Sequence, residues 1–465
     1  MQTNWRTVLL SIAAGALGSA LALGQNPSPC PTEVLSTTAT MSKDLVCLIP
    51  QVYGAGGLVG TGDGGPLDPT MGHSVHFQAS SLSSFGPINS EIGIELSQLP
   101  LAAPVAGFIF AGGVITPTST FGPILSDRAE TLGKGKVFIG ASYQYFNFDK
   151  ADGVNLRNFN AVFTHELEPL ACPEDPNDPL MPCVNGEPLY TQDIVATVNR
   201  VDLKVHQITL VGTVGIFDRF DVAIAVPVLD VRMAMASQAT IFSFEPAPFM
   251  HQFSTATGGD TSVESFAHSS AAEGLGDITF RAKYTVKVYE HAAVAAGADF
   301  RLPTGDPKSF LGSGTWGFRP FVIYTAHLSK FSPHMTVGFQ GNGESILAGD
   351  ITAATPIPQH LPDVVSYTGG VDGSITPRFG YAVDLIGQSV LQATRIQPTT
   401  FTDYLGNKHA NITASSQTIQ EFSASAGVKA SIAPNLLLTA NGLFRLNDAG
   451  LHSKTTPLIG LSYVF

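Results

Sequence analysis

Ser142 and His206, on two neighbouring predicted strands, are residues whose types could carry out covalent chemistry. They could act as the nucleophile and base of a hydrolase, provided that their side chains come within hydrogen-bond reach. The chain has 12 histidines and many serines, so one such pair is expected by chance. No G-x-S-x-G elbow, H-E-x-x-H helix, phosphate-binding loop or dinucleotide fingerprint accompanies the pair. The sequence therefore predicts a protein that is not an enzyme and requires no cofactor.

The four cysteines fall into two local pairs within proline-rich stretches. Cys30 and Cys47 form one pair, and Cys172 and Cys183 form the other. Four cysteines allow three connectivities, and the local one requires no long-range geometry. Such bridges persist in an oxidising periplasm or at a cell surface. A metal site is the alternative, but neither pair is a C-x-x-C and the nearby histidine is His165 alone, so we expect two disulfides and no metal.

Charged residues of both signs alternate with apolar ones in the second half of the chain. Mixed signs favour cross-strand ion pairs on an interior wall, whereas an ion-selective pore would require a ring of one sign. Asp202 and Lys204 follow the same alternation. The candidate wall residues are Asp277, Arg281, Lys283, Asp299, Arg301, Arg319 and Arg445.

The elements that must position these charges are β-strands. Over Asp277–Val288 every second residue is polar, and the residues between them are apolar. The same alternation recurs near the C-terminus. Five short turns and six long polar loops separate such segments, which gives eleven connections and hence twelve strands. Short turns at one end and long loops at the other are typical of an outer-membrane barrel, and a soluble sandwich is the alternative. A count of fourteen strands would require a further hairpin around Phe108–Thr118.

Composition and both chain ends agree with an exported barrel. Hydrophobic residues make up 44% of the 465 residues and charged residues only 13%. Residues 1–24 resemble a signal peptide, with Arg6 before an apolar run that closes on small residues. At the other end Tyr463 and Phe465 resemble the signal read by the barrel-assembly machinery. The formal charge is −13 and no basic cluster occurs, so no nucleic-acid partner is expected.

Residues 25–135 are predicted to form an N-terminal plug or periplasmic segment, ahead of a barrel over 136–465. One short helix is expected in it, capped by Ser90 and ended by Pro100. Aromatic and aliphatic side chains of this segment are candidates either to line a substrate path or to anchor the plug. These are Phe85, Leu99, Phe108, Phe110 and Phe121.

Four motifs carry a family resemblance. They are D-R-A-E-T-L-G-K-G-K from Asp127, G-L-G-D-I-T-F-R-A-K-Y from Gly274, L-P-T-G-D-P from Leu302 and G-S-G-T from Gly312. Over residues 127–465 the chain resembles the outer-membrane family named for the meta-pathway of phenol degradation, a distant relative of fatty-acid and aromatic-hydrocarbon channels. The resemblance implies a passive route for small hydrophobic molecules through a plugged lumen.

The expected fold is thus an all-β, antiparallel, up-and-down transmembrane barrel in a bacterial outer membrane. Its expected surroundings are outer-membrane lipid and lipopolysaccharide, and its expected ligand is a small hydrophobic solute. A non-transporting structural or adhesive barrel is the alternative function, and an outer-membrane hydrolase is a further one.

Overall fold

Twelve antiparallel strands close edge to edge into a barrel in the computed structural model of the chain. The structure describes residues 30, 41–55, 57–58, 77–100, 108–111, 114–117, 124–165, 183–184, 187–244, 251–254, 260–328, 330–351 and 357–465. The strands are β1 Val137–Phe148, β2 Ile194–Phe217, β3 Phe220–Phe242, β4 Thr279–Val288, β5 Ala292–Arg301, β6 Gly317–Ala326, β7 Phe331–Asn342, β8 Val364–Thr376, β9 Phe379–Thr402, β10 Lys408–Ala433, β11 Leu436–Arg445 and β12 Thr455–Val464.

Each strand pairs with its neighbour in sequence, and β12 pairs with β1 to close the ring. The predicted count of twelve strands is confirmed. The hairpin that could have raised the count to fourteen does exist, as Phe108–Ala111 paired with Val114–Pro117, but it forms a separate two-stranded sheet. Two strands that belong to the barrel sheet lie outside the ring, Phe159–Thr164 on β2 and Val263–Leu275 on β3, and the other described strands form small separate sheets. The described helices include none that is long and apolar enough to cross a membrane.

The outer face of β2 changes character partway along the strand. From Ile216 up to Ile208 its outward side chains are glycine or exposed aliphatics, and beyond His206 they become charged. The apolar part spans about nine residues, which is the length a tilted strand needs to cross a bilayer. Rings of exposed aromatics flank this apolar belt, with Phe280, Phe300 and Phe318 at the loop end and Phe217, Phe379 and Phe465 at the turn end. An apolar belt between two aromatic girdles is typical of the outer surface of an outer-membrane barrel. In such barrels the short turns are periplasmic and the long loops are extracellular, so the loop end is the extracellular end.

Beyond the belt the alternation reverses its polarity. On β2 the inward residues Val201, Leu203 and Val205 are fully buried, whereas outward Asp202 and Lys204 are partly exposed to solvent. Asp202 and Lys204 therefore do not belong to the lumen wall, contrary to the sequence-based prediction. They were placed there because one polarity was assumed for the whole strand, but this part of the strand stands in water.

The N-terminal residues fill the extensions of β2, β3, β9 and β10 beyond the belt. We call this extracellular part, with residues 41–55, 57–58 and α1 (Gln78–Leu96), the head. A disulfide joins Cys30 to Cys47 at its base, as predicted. Cys172 lies outside the described residues, so the second predicted bridge stays a prediction. The apolar core of the head includes Leu45, Ile49, Val52, Phe85, Ile92, Phe163, Leu203, Met233 and Ile396.

Helix α1 begins earlier and ends earlier than predicted. It starts at Gln78, so Ser90 is an interior residue, and it ends at Leu96. Gly86 and Pro87 are residues that usually interrupt a helix, yet both lie inside α1. The helix continues through them because Phe85, Ile88 and Ile92 form one continuous apolar face, which is buried. The helix packs into the apolar core of the head.

Candidate functional site

A cavity of about 420 Å³ lies inside the barrel at the level of the membrane belt. On the extracellular side it is bounded by the end of α1 and the residues that follow it, up to Pro100. On the periplasmic side it is bounded by residues 124–132, which we call the strap. This enclosed space within the lumen is the candidate functional site.

One wall of the cavity is built on an ion-paired arginine cluster. Asp299 on β5 accepts hydrogen bonds from Arg281 Nε at 2.6 Å and from Arg319 Nη2 at 2.6 Å. Arg281 also donates to Asp127 of the strap at 2.6 Å. Both guanidinium groups stack on the ring of Phe321, at 4.9 and 5.5 Å from its centroid. These contacts hold the two arginines against strands β4 to β6, where both line the cavity.

Space for this cluster depends on one glycine. A Cβ atom on Gly297 would come within 2.5 Å of the Phe321 ring. A side chain at this position would therefore displace the ring on which both guanidinium groups rest. The geometry of the polar wall thus requires a residue without a side chain at position 297.

The opposite wall is apolar. Phe138, Phe146 and Phe148 of β1 line the cavity and are almost fully buried, and the rings of Phe146 and Phe148 stack at 5.7 Å. Val211 of β2 and Leu229 of β3 continue this surface. In a ring of twelve strands β1 lies diametrically across from β7, which adjoins the arginine-bearing strand β6. The cavity therefore has an apolar side facing a polar side.

The strap closes the periplasmic end by bonds to successive strands. Ser126 donates to Asp384 at 2.8 Å, Arg128 donates to Asp372 at 2.5 Å, and the Leu132 amide donates to Asp221 at 2.9 Å. His334 contacts both Asp384, at 2.6 Å, and Asp372, at 3.3 Å. The strap thus follows the inner wall from β9 round to β3, and its anchors are buried ionic groups.

At the extracellular end, buried carboxyl groups hold α1 against the wall. Glu91 accepts the Ile396 amide at 3.0 Å, and burial raises the pKa of Glu91 to about 8 although that hydrogen bond and Arg395 oppose the shift. Burial and the neighbouring Glu421 raise the pKa of Glu95 as well. Arg445 pairs with Glu421 at 2.5 Å. Both helix glutamates therefore stay in place most readily when protonated.

Backbone atoms after α1 complete this boundary. The carbonyl oxygen of Ser97 accepts from Arg301 at 3.0 Å, and that of Pro100 accepts from Gln207 at 3.2 Å. Leu99 lies between them and lines the cavity. The chain is thus held across the lumen where it leaves the head.

Three of the sequence motifs converge on one carboxylate. Asp277 accepts hydrogen bonds from the amides of Gly305, at 3.0 Å, and Ser313, at 2.8 Å. A Cβ atom on Gly312 would lie 2.4 Å from the Asp277 carboxylate, so the motif glycine permits this approach. The loop between β5 and β6 is thereby folded inward, and its residues Phe310 and Leu311 pack into the core of the head. The motifs position this loop and do not form a reactive centre.

All seven predicted wall residues line the cavity: Asp277, Arg281, Lys283, Asp299, Arg301, Arg319 and Arg445. The predicted plug residues are divided. Leu99 lines the cavity, but Phe85 packs in the head between Tyr53 and Phe163. Phe108 and Phe110 lie on the separate hairpin, with side chains outside the described part of the structure, and Phe121 is outside the described residues altogether.

The structure separates the two residues of the hydrolase alternative. Ser142 faces the interior of the barrel, whereas His206 lies on the outer face, where its Nδ1 atom is 2.8 Å from the Tyr143 hydroxyl. The two side chains therefore cannot form a nucleophile–base pair. No cluster of three or more metal-ligating side chains occurs among the described residues.

Sequence reasoning missed the anchors of the strap. Ser126, Arg128 and Asp372 were not selected as site residues, although Arg128 lies within a quoted motif. The available signal was the placement of a charged run, residues 127–130, directly before the first barrel strand. Such a run needs partners if it enters the lumen.

Several solved outer-membrane proteins resemble this chain at low identity. A channel from Pseudomonas putida F1 is 14% identical, with a TM-score of 0.39, over 73% of this chain and 99% of that one. A toluene transporter from Ralstonia pickettii is 12% identical, with a TM-score of 0.27, over 79% and 99%. A FadL homologue from Pseudomonas aeruginosa is 8% identical, with a TM-score of 0.30, over 71% and 90%. No curated protein matches the chain significantly.

A family model described as "Putative MetA-pathway of phenol degradation" matches residues 209–450, which is more than half of the 465 residues. The match begins in β2 and ends after β11, so it includes ten of the barrel strands, the Asp277 loop and the arginine cluster. The chain therefore belongs to this family of outer-membrane barrels, as its motifs predict.

Proposed function

We propose that this protein is an outer-membrane channel through which small hydrophobic molecules diffuse passively into the cell envelope. The observation that carries the proposal is the lumen cavity, with its apolar wall on β1 to β3, between two segments of the same chain. Its volume is in the range of small-molecule sites. Such a route is needed because a lipopolysaccharide leaflet resists the entry of hydrophobic solutes.

The width of the barrel supports a selective path. Twelve strands lie between eight, which side chains fill, and sixteen, which leave an aqueous channel. The strap and the residues after α1 narrow this lumen further. A solute would leave the cavity past the strap, whose anchors are individual polar contacts that can break and re-form. Diffusion down a gradient needs no nucleotide, metal or covalent intermediate.

Two further roles belong to this proposal. We assign Tyr463 and Phe465, on the outer face where β12 closes on β1, to recognition by the barrel-assembly machinery. Lipopolysaccharide is the proposed neighbour of the extracellular girdle, because that girdle marks the outer edge of the membrane belt.

Uptake by whole cells tests the function. A porin-deficient Gram-negative host expressing the chain should take up labelled toluene and medium-chain hydrocarbons faster than the same host with an empty vector. Vancomycin sensitivity should stay unchanged, which excludes a general leak. Heat-modifiable gel mobility verifies that the barrel is folded. Uptake equal to the empty vector for every solute, with folded protein present, would favour a structural or adhesive barrel instead.

A further inference from the structure

We propose that the cavity selects amphipathic solutes with an apolar body and one anionic oxygen acceptor, the chemistry of a small aromatic carboxylate. This inference rests on the proposed channel function and names the solute class that the channel favours. The relevant feature is the imbalance between hydrogen-bond donors and acceptors on the polar wall. The apolar wall across the lumen supplies the second half of the recognition.

The acceptor capacity of the polar wall is already in use. Both carboxylate oxygens of Asp299 are occupied, one by Arg281 Nε and the other by Arg281 Nη2, Arg319 Nε and Arg319 Nη2. Asp127 is held by Arg281 and Asp277 by the backbone of the motif loop. The carboxylates of Asp299, Asp127 and Asp277 are therefore already engaged by partners within the protein.

Donor capacity remains on the same wall. A guanidinium group carries five N–H donors, and the bonds to Asp299 use only part of those on Arg319. Arg319 Nη1 has a single long contact to Ser366 Oγ at 3.5 Å. About a quarter of the Arg319 side chain is exposed, and this exposed part faces the cavity. Arg319 is therefore placed to donate two parallel hydrogen bonds to a carboxylate.

A second donor lies on the next strand of the barrel. Thr336 on β7 lines the cavity, is more than nine-tenths buried, and its hydroxyl has no hydrogen-bond partner among the described residues. A buried hydroxyl without a partner is costly, and a bound oxygen acceptor would satisfy it. Thr336 pairs with Ile323 of β6, so its hydroxyl opens on the same cavity as Arg319 from the neighbouring strand.

The body of the solute would rest on β1. Phe146 and Phe148 present stacked rings across the lumen from β6 and β7, and aromatic bodies pack well on such a surface. A neutral hydrocarbon could occupy this apolar wall but would leave Arg319 Nη1 with only its long contact to Ser366 and the Thr336 hydroxyl without a partner. Selectivity for an acceptor-bearing solute follows from that difference.

The test compares uptake of labelled benzoate and labelled toluene at pH 7.5 by the porin-deficient host. Expression of the native chain should raise benzoate uptake at least tenfold over the empty vector, and more than it raises toluene uptake. Arg319→Gln should lower benzoate uptake about tenfold and lower toluene uptake much less. Arg232→Gln is the matched control, since this arginine lies on the outer surface of the head and pairs only with Asp230 among the described residues.

The possible outcomes separate the two proposals. Toluene uptake without benzoate uptake would overturn the solute class and leave the channel function standing. An equal loss of both solutes in folded Arg319→Gln would also overturn it, because the arginine would then have only a structural role. Uptake of neither solute by the folded native chain would overturn the channel function itself.

Discussion

Arg128 and Asp372, which are 244 positions apart in the sequence, form a buried ion pair with 2.5 Å between Nη2 and Oδ2. The side chains are only 3% and 0% exposed. The pair connects the strap, which precedes the first strand, to the wall strand β8. The periplasmic boundary of the cavity is thus fixed by contacts that no local segment of the sequence contains.

Breaking this pair should loosen the strap. Asp372→Ala leaves a buried guanidinium without its carboxylate, which typically costs about 3–5 kcal/mol. We expect folded barrels with a lower thermal transition in detergent and a higher permeability of cells to small polar dyes. Asp230→Ala, which breaks the exposed pair with Arg232 on the head, should change neither property. An equally stable and equally tight Asp372→Ala variant would contradict the anchoring role.

The membrane belt predicts how arginine substitutions depend on depth. Val322 lies at the middle of β6 and is 54% exposed on the outer face, so Val322→Arg should cost about 2–4 kcal/mol. Phe280 pairs with Phe300 at the extracellular girdle, so Phe280→Arg should cost only about 0–1 kcal/mol. Thr279→Arg points into the lumen and should also be mild. Unfolding titrations in lipid vesicles measure all three, and equal losses would mean that the belt is misplaced.

The buried helix glutamates predict a dependence on pH. The pKa of Glu91 is raised from its ordinary 4.5 to about 8, so between these values folded protein holds a proton that unfolded protein has released. The free energy of unfolding should therefore fall as the pH rises from about 4.5 to about 8. Glu91→Gln should flatten this dependence, and Glu95, whose pKa is shifted in the same direction, should account for the remainder. Hydrogen exchange of α1 amides at pH 5 and pH 9 reports the effect locally, and identical pH slopes in the native chain and Glu91→Gln would contradict it.

The disulfide should stabilise the head. Cys30 and Cys47 close a loop of 17 residues, and bridges over loops of this size contribute about 3 kcal/mol. A Cys30→Ser, Cys47→Ser double variant should show faster proteolysis of the head while the barrel keeps its heat-modifiable mobility. Thiol alkylation without reductant should detect no free cysteine if Cys172 and Cys183 are also bridged. Two reactive thiols would refute that second, predicted pair.

The barrel itself could be predicted because lipid enforces a regular pattern. Residues of β4 alternate between the lumen and the hydrocarbon, so Thr279, Arg281 and Lys283 could be assigned to one wall from spacing alone. The rule failed beyond the membrane. Residues 238–273 and 394–414, which the sequence indicates to be loops, contain the continuing ends of β3, β9 and β10 and the added strand Val263–Leu275. Within the membrane the apolar side chains of these strands face the lipid, whereas beyond it they face the interior of the head.

Only part of the candidate site could be predicted from the sequence, for a similar reason. Wall charges lie on strands, so their direction follows from the period of two. The helix glutamates, Ser126 and Arg128 lie on irregular or short N-terminal segments, and their partners are more than two hundred positions away. Contacts of this kind depend on the position of the N-terminal segment inside the barrel. The alternation of polar and apolar residues along a strand carries no information about that position.

The reversal of polarity along β2 also limits how the barrel can move in the bilayer. Sinking by one residue pair, about 6.6 Å along the strand, would carry His206 toward the hydrocarbon, and rising by the same distance would bring Ile208 into water. His206 opposes the first displacement and Ile208 opposes the second, and the two residues are only two positions apart on the same strand. The side-chain pattern of this one strand thus sets the depth of the barrel in the bilayer to within a few ångströms.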